Sequence, residues 1–373
     1  MSELYIGLMS GTSVDAIDAV LMDFSKSNTH IVSRYSQAID TTLRDGINAL
    51  IARKQIPKNA EELDKQFAHA SCRAVETLLN QSSIHSNDVV AIGSHGQTVF
   101  HDPKGTPAVS IQIGDPQVIA NLSGIPTVGN FRQADIDAGG EGAPLACAYH
   151  AEALQDIKEE RVVLNLGGIA NITKLPADKS EPIIGFDTGP ANTLMDAWAQ
   201  NHLNKSFDQD GNWAKTGQIH AKLLERLLKD EYFSKPPPKS TGREHFNLDW
   251  LNEILQTHAS TLSPKDIQAT LLALTVYSIA DSIETWCPKS KIVLLCGGGS
   301  KNNFLVESLT TKLKQTSLQQ TDDYGIPSDW MEAMAFAWLA KQNIENNPGN
   351  IPSVTGADKA VILGEHMEVS AGK

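Results

Sequence analysis

The chain carries a strand–turn–strand opening twice, at residues 4–21 and at residues 161–173. In the first, Leu4-Tyr5-Ile6-Gly7-Leu8-Met9 stops at Ser10-Gly11-Thr12-Ser13, and apolar residues resume at Ile17, Ala19 and Leu21. In the second, Arg161-Val162-Val163-Leu164-Asn165-Leu166 meets Gly167-Gly168 and continues as Ile169-Ala170-Asn171-Ile172-Thr173. A chain of 373 residues is long enough for two lobes at the usual domain size of roughly 150 residues. Two such openings suggest a duplicated, two-lobed architecture. Gly-rich strand ends are common in α/β proteins, so the repeat by itself leaves duplication open.

Hydrophobic periodicity reads as alternating strands and helices. Strands are expected at 4–9, 17–24 and 31–39, joined closely enough for an antiparallel meander. Helical patterns follow at 43–53 and 61–81. Val89-Val90-Ala91-Ile92-Gly93 reads as a buried strand delivering Ser94-His95-Gly96-Gln97-Thr98 to its C-terminal end, and a strand–loop–helix unit runs through 109–122. Beyond the second opening come a strand at 183–186, a helix from Pro190 to about His202, and an excursion of loops at 208–247. Ser263 and Pro264 suit the N-cap and first position of a long helix to about Trp286. A buried strand at 291–296 feeds Gly297-Gly298-Gly299, and a helix at 328–342 follows.

The formal net charge of −13 opposes nucleic acid and anionic membranes as partners. An anionic substrate therefore requires a local pocket of cations or N–H groups. No apolar run approaches the ~20 residues that span a bilayer, and Met1-Ser2-Glu3 lacks the character of a signal peptide. Cys72, Cys147, Cys287 and Cys296 form neither a C-x-x-C pair nor a metal cluster, and read as buried free thiols. The expected location is the cytoplasm.

Several segments carry candidate chemistry. The loop through residues 10–18 is longer and richer in hydroxyls than closing a hairpin requires. It offers N–H groups and hydroxyls to an anion and carboxylates to a metal, against the plain alternative of a polar hairpin. No G-x-G-x-x-G or P-loop motif occurs, which excludes those two phosphate-binding devices. Three glycines at 297–299, between a strand and a helix, would let a flat ligand lie against backbone. Asp187 stands at the end of an apolar strand, where a general base belongs; with Thr188 beside it, Asp187 is not needed as a helix cap. Arg132, in an acidic neighbourhood, suits a substrate carboxylate. By themselves His95 reads as a core histidine and Glu332 as a helix-dipole partner.

Six blocks together resemble one family in order from residue 5 to about residue 364: Met9 to Asp18, Gly93-Ser94-His95-Gly96-Gln97-Thr98, Phe131-Arg132-Gln133-Ala134-Asp135, Leu164 to Asn171, Gly185-Phe186-Asp187-Thr188-Gly189-Pro190, and Glu332 to Trp338. The family is anhydro-N-acetylmuramic acid kinase, of the sugar kinase/Hsp70/actin superfamily. The resemblance implies an α/β, two-lobed actin-like ATPase fold (ribonuclease H-like), duplicated, with an ATP cleft between the lobes. It implies a first lobe of residues 1–128 plus 345–373 and a second of residues 129–344. It implies that ATP and water convert 1,6-anhydro-N-acetylmuramic acid to N-acetylmuramic acid 6-phosphate and ADP, in peptidoglycan recycling. Mg²⁺ would accompany ATP, and the enzyme would be a homodimer.

Carried over residue by residue, Gly11, Thr12, Ser13, Val14, Asp15, Ala16, Ile17 and Asp18 would form the first ATP phosphate loop. Asn165, Gly167 and Gly168 would form the second, and Gly297, Gly298 and Gly299 the adenosine loop. Asp187 matches the family's base; Ser94, His95, Gln97, Arg132, Asp135 and Glu332 would hold the sugar. Asp15, Asp18 and Asp187 are candidates for ordering the metal, with Asp18 and Asp187 preferred. Three positions depart from the pattern: Ala16 replaces a frequent glycine, Ala191 stands in a Gly-Pro-Gly-Asn position, and Gly7 stands where the superfamily usually has aspartate. Lys239-Ser240-Thr241-Gly242-Arg243-Glu244 also resembles the family, without an implied role. The rival readings are a partner-driven ATPase module and a conventional kinase acting on a free sugar hydroxyl.

Overall fold

The computed structural model describes residues 3–25, 30–57, 60–258 (the His258 side chain excepted) and 262–370. The chain divides into two compact units, Met1–Tyr149 with Trp330–Lys373, and His150–Asp329. The first contains β1 (Leu4–Met9), β2 (Ala16–Asp23), β3 (His30–Ala38), β4 (Val89–Ser94), β5 (Gln97–Asp102), β6 (Val109–Ile113) and β7 (Thr127–Gly129). The second contains β8 (Arg161–Leu166), β9 (Ile169–Leu175), β10 (Ile184–Pro190), β11 (Ile292–Cys296) and β12 (Ser317–Gln320), after which β13 (Glu365–Met367) returns to the first.

Both main sheets follow one plan. In the first unit β1, β2 and β3 form an antiparallel meander, with β4 parallel to β1 and β7 parallel to β4. In the second, β8, β9 and β10 form the meander, β11 lies parallel to β8 and β12 parallel to β11. The orders are β13-β7-β4-β1-β2-β3 and β10-β9-β8-β11-β12, so β13 is an addition to a shared five-strand pattern. The duplication suggested by the repeated opening is thus present in the topology. In each unit the parallel strands end at one sheet edge, where α/β proteins place ligand-binding loops.

The first unit's core joins Ile6, Leu8, Ile17, Leu21 and Ile92 to Phe67, Val75 and Leu78 of the helix Glu61–Ser82. The helix Met331–Ile344 also belongs to this unit, because its backbone closely approaches Gly7 and Gly93. The ring of Phe131 lies 5.3 Å from that of Phe336. These contacts assign residues 129–149 and 330–344 to the first unit, whereas the sequence boundaries put them in the second lobe. In the second unit, Val162, Leu164, Val293 and Leu295 pack with the helix Pro264–Trp286. That helix is buried all round through residues 267–276, as a helix within a core is. Ser263 caps it as expected, accepting from Asp266 N.

Other details differ from the sequence reading. Pro190 ends β10 rather than opening a helix, because it still pairs with Ile169; the helix runs Asn192–Leu203. The 208–247 excursion contains the helices Ala221–Leu228 and Glu231–Ser234. All four cysteines are free thiols, and Cys72 is half-buried rather than buried. Among the described residues no helix is long and apolar enough to cross a membrane.

Candidate active site

Residues 10–15 connect β1 to β2 at the C-terminal end of β1. Ser10 Oγ donates to Ala16 O at 2.9 Å and Val14 N to Gly11 O at 3.2 Å, which folds the loop on itself. Val14 adopts a φ of +54°, a genuine outlier for a β-branched residue. Its side chain is buried in the core, as is that of Ile17, so both face away from solvent. These two residues can therefore serve a ligand only through backbone. Thr12, Ser13 and Asp15 are exposed, and Gly11 has open space where a side chain would stand. Asp18, opposite Met9 in the ladder, accepts from Ser36 Oγ at 2.7 Å.

At the same sheet edge, β4 delivers His95, whose N donates to Leu8 O at 3.0 Å. The imidazole is buried, with Nδ1 at 2.8 Å from Gly96 O. Its Nε2 accepts from Arg132 Nε at 3.1 Å and Nη2 at 2.8 Å, which assigns the proton to Nδ1. Burial, aided by the Arg132 charge, holds His95 well below the usual histidine pKa despite the Gly96 carbonyl. The sequence alone made His95 a core histidine; the structure makes it a neutral acceptor that aims a guanidinium. Arg132 also donates Nη1 to Gly142 O at 2.7 Å. Burial lowers its pKa to about 10, opposed by Glu332 and Asp135. Burial raises the Glu332 carboxyl, Arg132 pulls it down and Asp18 adds to the rise. Asp18, Arg132 and Glu332 therefore share one electrostatic neighbourhood. Ser94 Oγ and Gln97 Oε1, on the same segment as His95, are buried without a hydrogen-bond partner in this structure. Unpartnered buried groups of this kind are costly unless a ligand or water serves them.

Asp135 behaves differently. Its carboxylate is fully buried and accepts from Asn350 Nδ2 at 2.7 Å, Thr355 Oγ1 at 2.7 Å and Gly142 N at 2.8 Å. Because Gly142 O receives Arg132, Asp135 acts on the guanidinium through the loop that both residues hold.

In the second unit, residues 167 and 168 lie between β8 and β9. Gly167 O accepts from Asn192 N at 3.1 Å and Nδ2 at 2.8 Å, and Gly168 O from Ala191 N and Thr193 N, each at 3.0 Å. These bonds satisfy the start of the helix Asn192–Leu203 with no side-chain cap. Neither Asp187 nor Thr188 is its N-cap, a position held by Ala191. With its carbonyls engaged, the loop can offer a phosphate only its N–H groups. The 297–299 loop follows β11. A side chain at Gly297 would meet Asn165 Oδ1 at 2.2 Å, and one at Gly299 would meet Asn192 Nδ2 and Leu166 O at 2.8 Å. Packing thus explains two of the three glycines, while Gly298 has open space beside it.

Asp187 is half-buried in β10, opposite Asn171, at a register break that leaves Thr188 as a bulge. Bulges re-aim a neighbouring side chain. Its Oδ2 accepts from Ser240 Oγ at 3.1 Å and Thr241 N at 2.9 Å. Tyr232 Oη donates to Asp187 O at 2.7 Å and Asp187 N donates to Lys239 O at 3.1 Å. Sequence reasoning had no role for residues 239–241; only the folded chain brings them to Asp187.

No three His, Cys, Asp or Glu side chains gather as a metal cage among the described residues. Mg²⁺ needs none when it arrives on nucleotide phosphates, since one or two carboxylates then suffice. Asp18 and Asp187 have suitable donor chemistry.

A family model described as anhydro-N-acetylmuramic acid kinase matches residues 3–368. The chain belongs to the anhydro-N-acetylmuramic acid kinase family. Curated relatives carrying that name include one from Coxiella burnetii, 47% identical over 364 residues, with 97% of this chain and 96% of the relative covered. Another, from Xylella fastidiosa, is 45% identical over 367 residues, covering 97% and 95%. A third, from Shewanella denitrificans, is 44% identical over 364 residues, covering 97% of each chain. As a member of the anhydro-N-acetylmuramic acid kinase family, the protein is a phosphotransferase that uses ATP.

Proposed function

We propose that the protein opens the 1,6-anhydro bridge of 1,6-anhydro-N-acetylmuramic acid and phosphorylates O6 in one coupled reaction. Water attacks C1 and gives its proton to Asp187; the C1–O6 bond breaks; O6 takes the γ-phosphoryl group, leaving ADP and N-acetylmuramic acid 6-phosphate. A base must lie within hydrogen-bond reach of the proton it removes, and the bulge beside Asp187 supports that presentation. Arg132, steered by neutral His95, holds the sugar's carboxylate, while Ser94, Gln97 and Glu332 hold its polar ring substituents. Asp135 supports this set through Gly142. The 11–18 and 167–168 loops hold phosphates through N–H groups and hydroxyls, and the 297–299 loop, with Asn165 behind it, holds adenosine. Mg²⁺, when bound with ATP, would neutralise charge developing on the phosphoryl group, and Asp18 or Asp187 is the carboxylate that would meet it.

One observation carries the sugar assignment: buried Ser94 Oγ and Gln97 Oε1 lack partners beside a neutral histidine that directs Arg132. A partner-driven ATPase has no use for such a set. The reaction belongs to peptidoglycan recycling, in the cytoplasm, and the working form is a homodimer, which light scattering on the purified protein tests. Asp187→Asn tests the base assignment. Turnover should vanish while ATP still binds, and a fully active variant would refute the role.

A further inference from the structure

The block from Lys239 to Glu244 begins with three residues that hold Asp187 from across the fold. Ser240 lies 53 positions from Asp187 and Thr241 lies 54 positions away, yet both donate to one carboxylate oxygen. Lys239 accepts from the Asp187 N–H, so the segment grips backbone and carboxylate together. Lys239 fixes the segment in turn. Its ammonium is buried, donates to Tyr232 O at 3.2 Å and Phe233 O at 3.3 Å, and lies 4.7 Å from the centre of the Tyr232 ring. The same Tyr232 donates its hydroxyl to Asp187 O, which closes a loop of contacts around the aspartate.

We propose that Lys239, Ser240 and Thr241 form a positioning strap that sets the Asp187 carboxylate before the sugar arrives. The inference rests on Asp187 being the base. Two donors on Oδ2 restrict the carboxylate's rotation. Misplacing a reacting group by ~1 Å can cost about a hundredfold in rate. Lys239 keeps the strap in place by tying it to the carbonyls of residues 232 and 233. These three are positioning residues and act through Asp187.

Ser240 is exposed, so its substitution spares the core. Ser240→Ala should lower kcat about tenfold, with KM for both substrates and the unfolding midpoint unchanged. Ser240→Thr restores the donor and should restore kcat. In an Asp187→Asn background, adding Ser240→Ala should change nothing further. Unaltered kcat in Ser240→Ala, alongside inactive Asp187→Asn, would overturn the strap and leave the base assignment standing. Loss of kcat together with a lowered unfolding midpoint, unrescued by threonine, would also overturn it by making the segment merely structural. Full activity of Asp187→Asn would instead remove the base assignment on which the strap depends.

Discussion

Gly7 and Gly93 stand opposite each other on β1 and β4, and neither has room for a side chain. A Cβ on Gly7 would lie 1.9 Å from Ala333 O, and one on Gly93 would lie 2.0 Å from Phe336 O. The helix Met331–Ile344 thus rests with its backbone almost on the sheet. Position 7 therefore has no room for an aspartate, because a carboxylate there would strike that helix. It also ties Glu332, in the helix's first turn, to the strands that carry the first loop.

Gly7→Ala should therefore cost about 1–3 kcal/mol of folding stability, the usual range for overpacking. Denaturant unfolding measures it. Gly11→Ala, where no atom lies within 4 Å, should show no comparable packing loss.

Asp135→Asn separates support from sugar contact. The native carboxylate accepts from Asn350, Thr355 and Gly142, and an amide nitrogen cannot accept. Stability should fall by about 1.5–3 kcal/mol, the scale of hydrogen bonds to a charged group. A variant of native stability with only a raised KM for the sugar would make Asp135 a direct ligand instead.

Much of this was legible in the sequence. Alternation located β1, β2 and β3, and Ser263-Pro264 located the start of the long helix, since both signals are local. The three-residue strand β13 exists only through pairing with β7 across most of the chain, and β7 is too short for any periodicity to mark it. Asp135 and Arg132 share a short helix, and sequence could not tell which faced inward to Asn350 and Thr355. At 297 and 299, which read as ligand space, a side chain would also strike Asn165 and Asn192, neighbours that only the folded chain supplies. The strap on Asp187 was invisible because its donors lie more than fifty positions away.

Arg132→Lys should raise KM for the sugar about 10- to 100-fold, with KM for ATP little changed. A point cation cannot reproduce a fork that engages His95 and Gly142 together. Steady-state kinetics with each substrate varied separately distinguish this from a general loss of activity.

His150 provides a pH test. It is buried, Nδ1 lies 2.8 Å from Thr173 Oγ1, and burial lowers its pKa from 6.5 to about 4. The unfolded chain then binds the proton more readily than the folded one. The neutral residue's stabilising advantage is therefore complete above about pH 6.5 and lost progressively down to about pH 4. The shift corresponds to about 3 kcal/mol over that window. Urea unfolding of the wild type against His150→Gln should show the wild type losing stability faster on acidification, whereas parallel pH curves would contradict it.

The most direct test of the central claim is mass spectrometry of the product formed from 1,6-anhydro-N-acetylmuramic acid, ATP and Mg²⁺ in ¹⁸O-labelled water. Coupled opening and transfer predicts N-acetylmuramic acid 6-phosphate with the label on the anomeric oxygen. ADP formed without any sugar phosphate would contradict the account and leave an ATPase with another purpose.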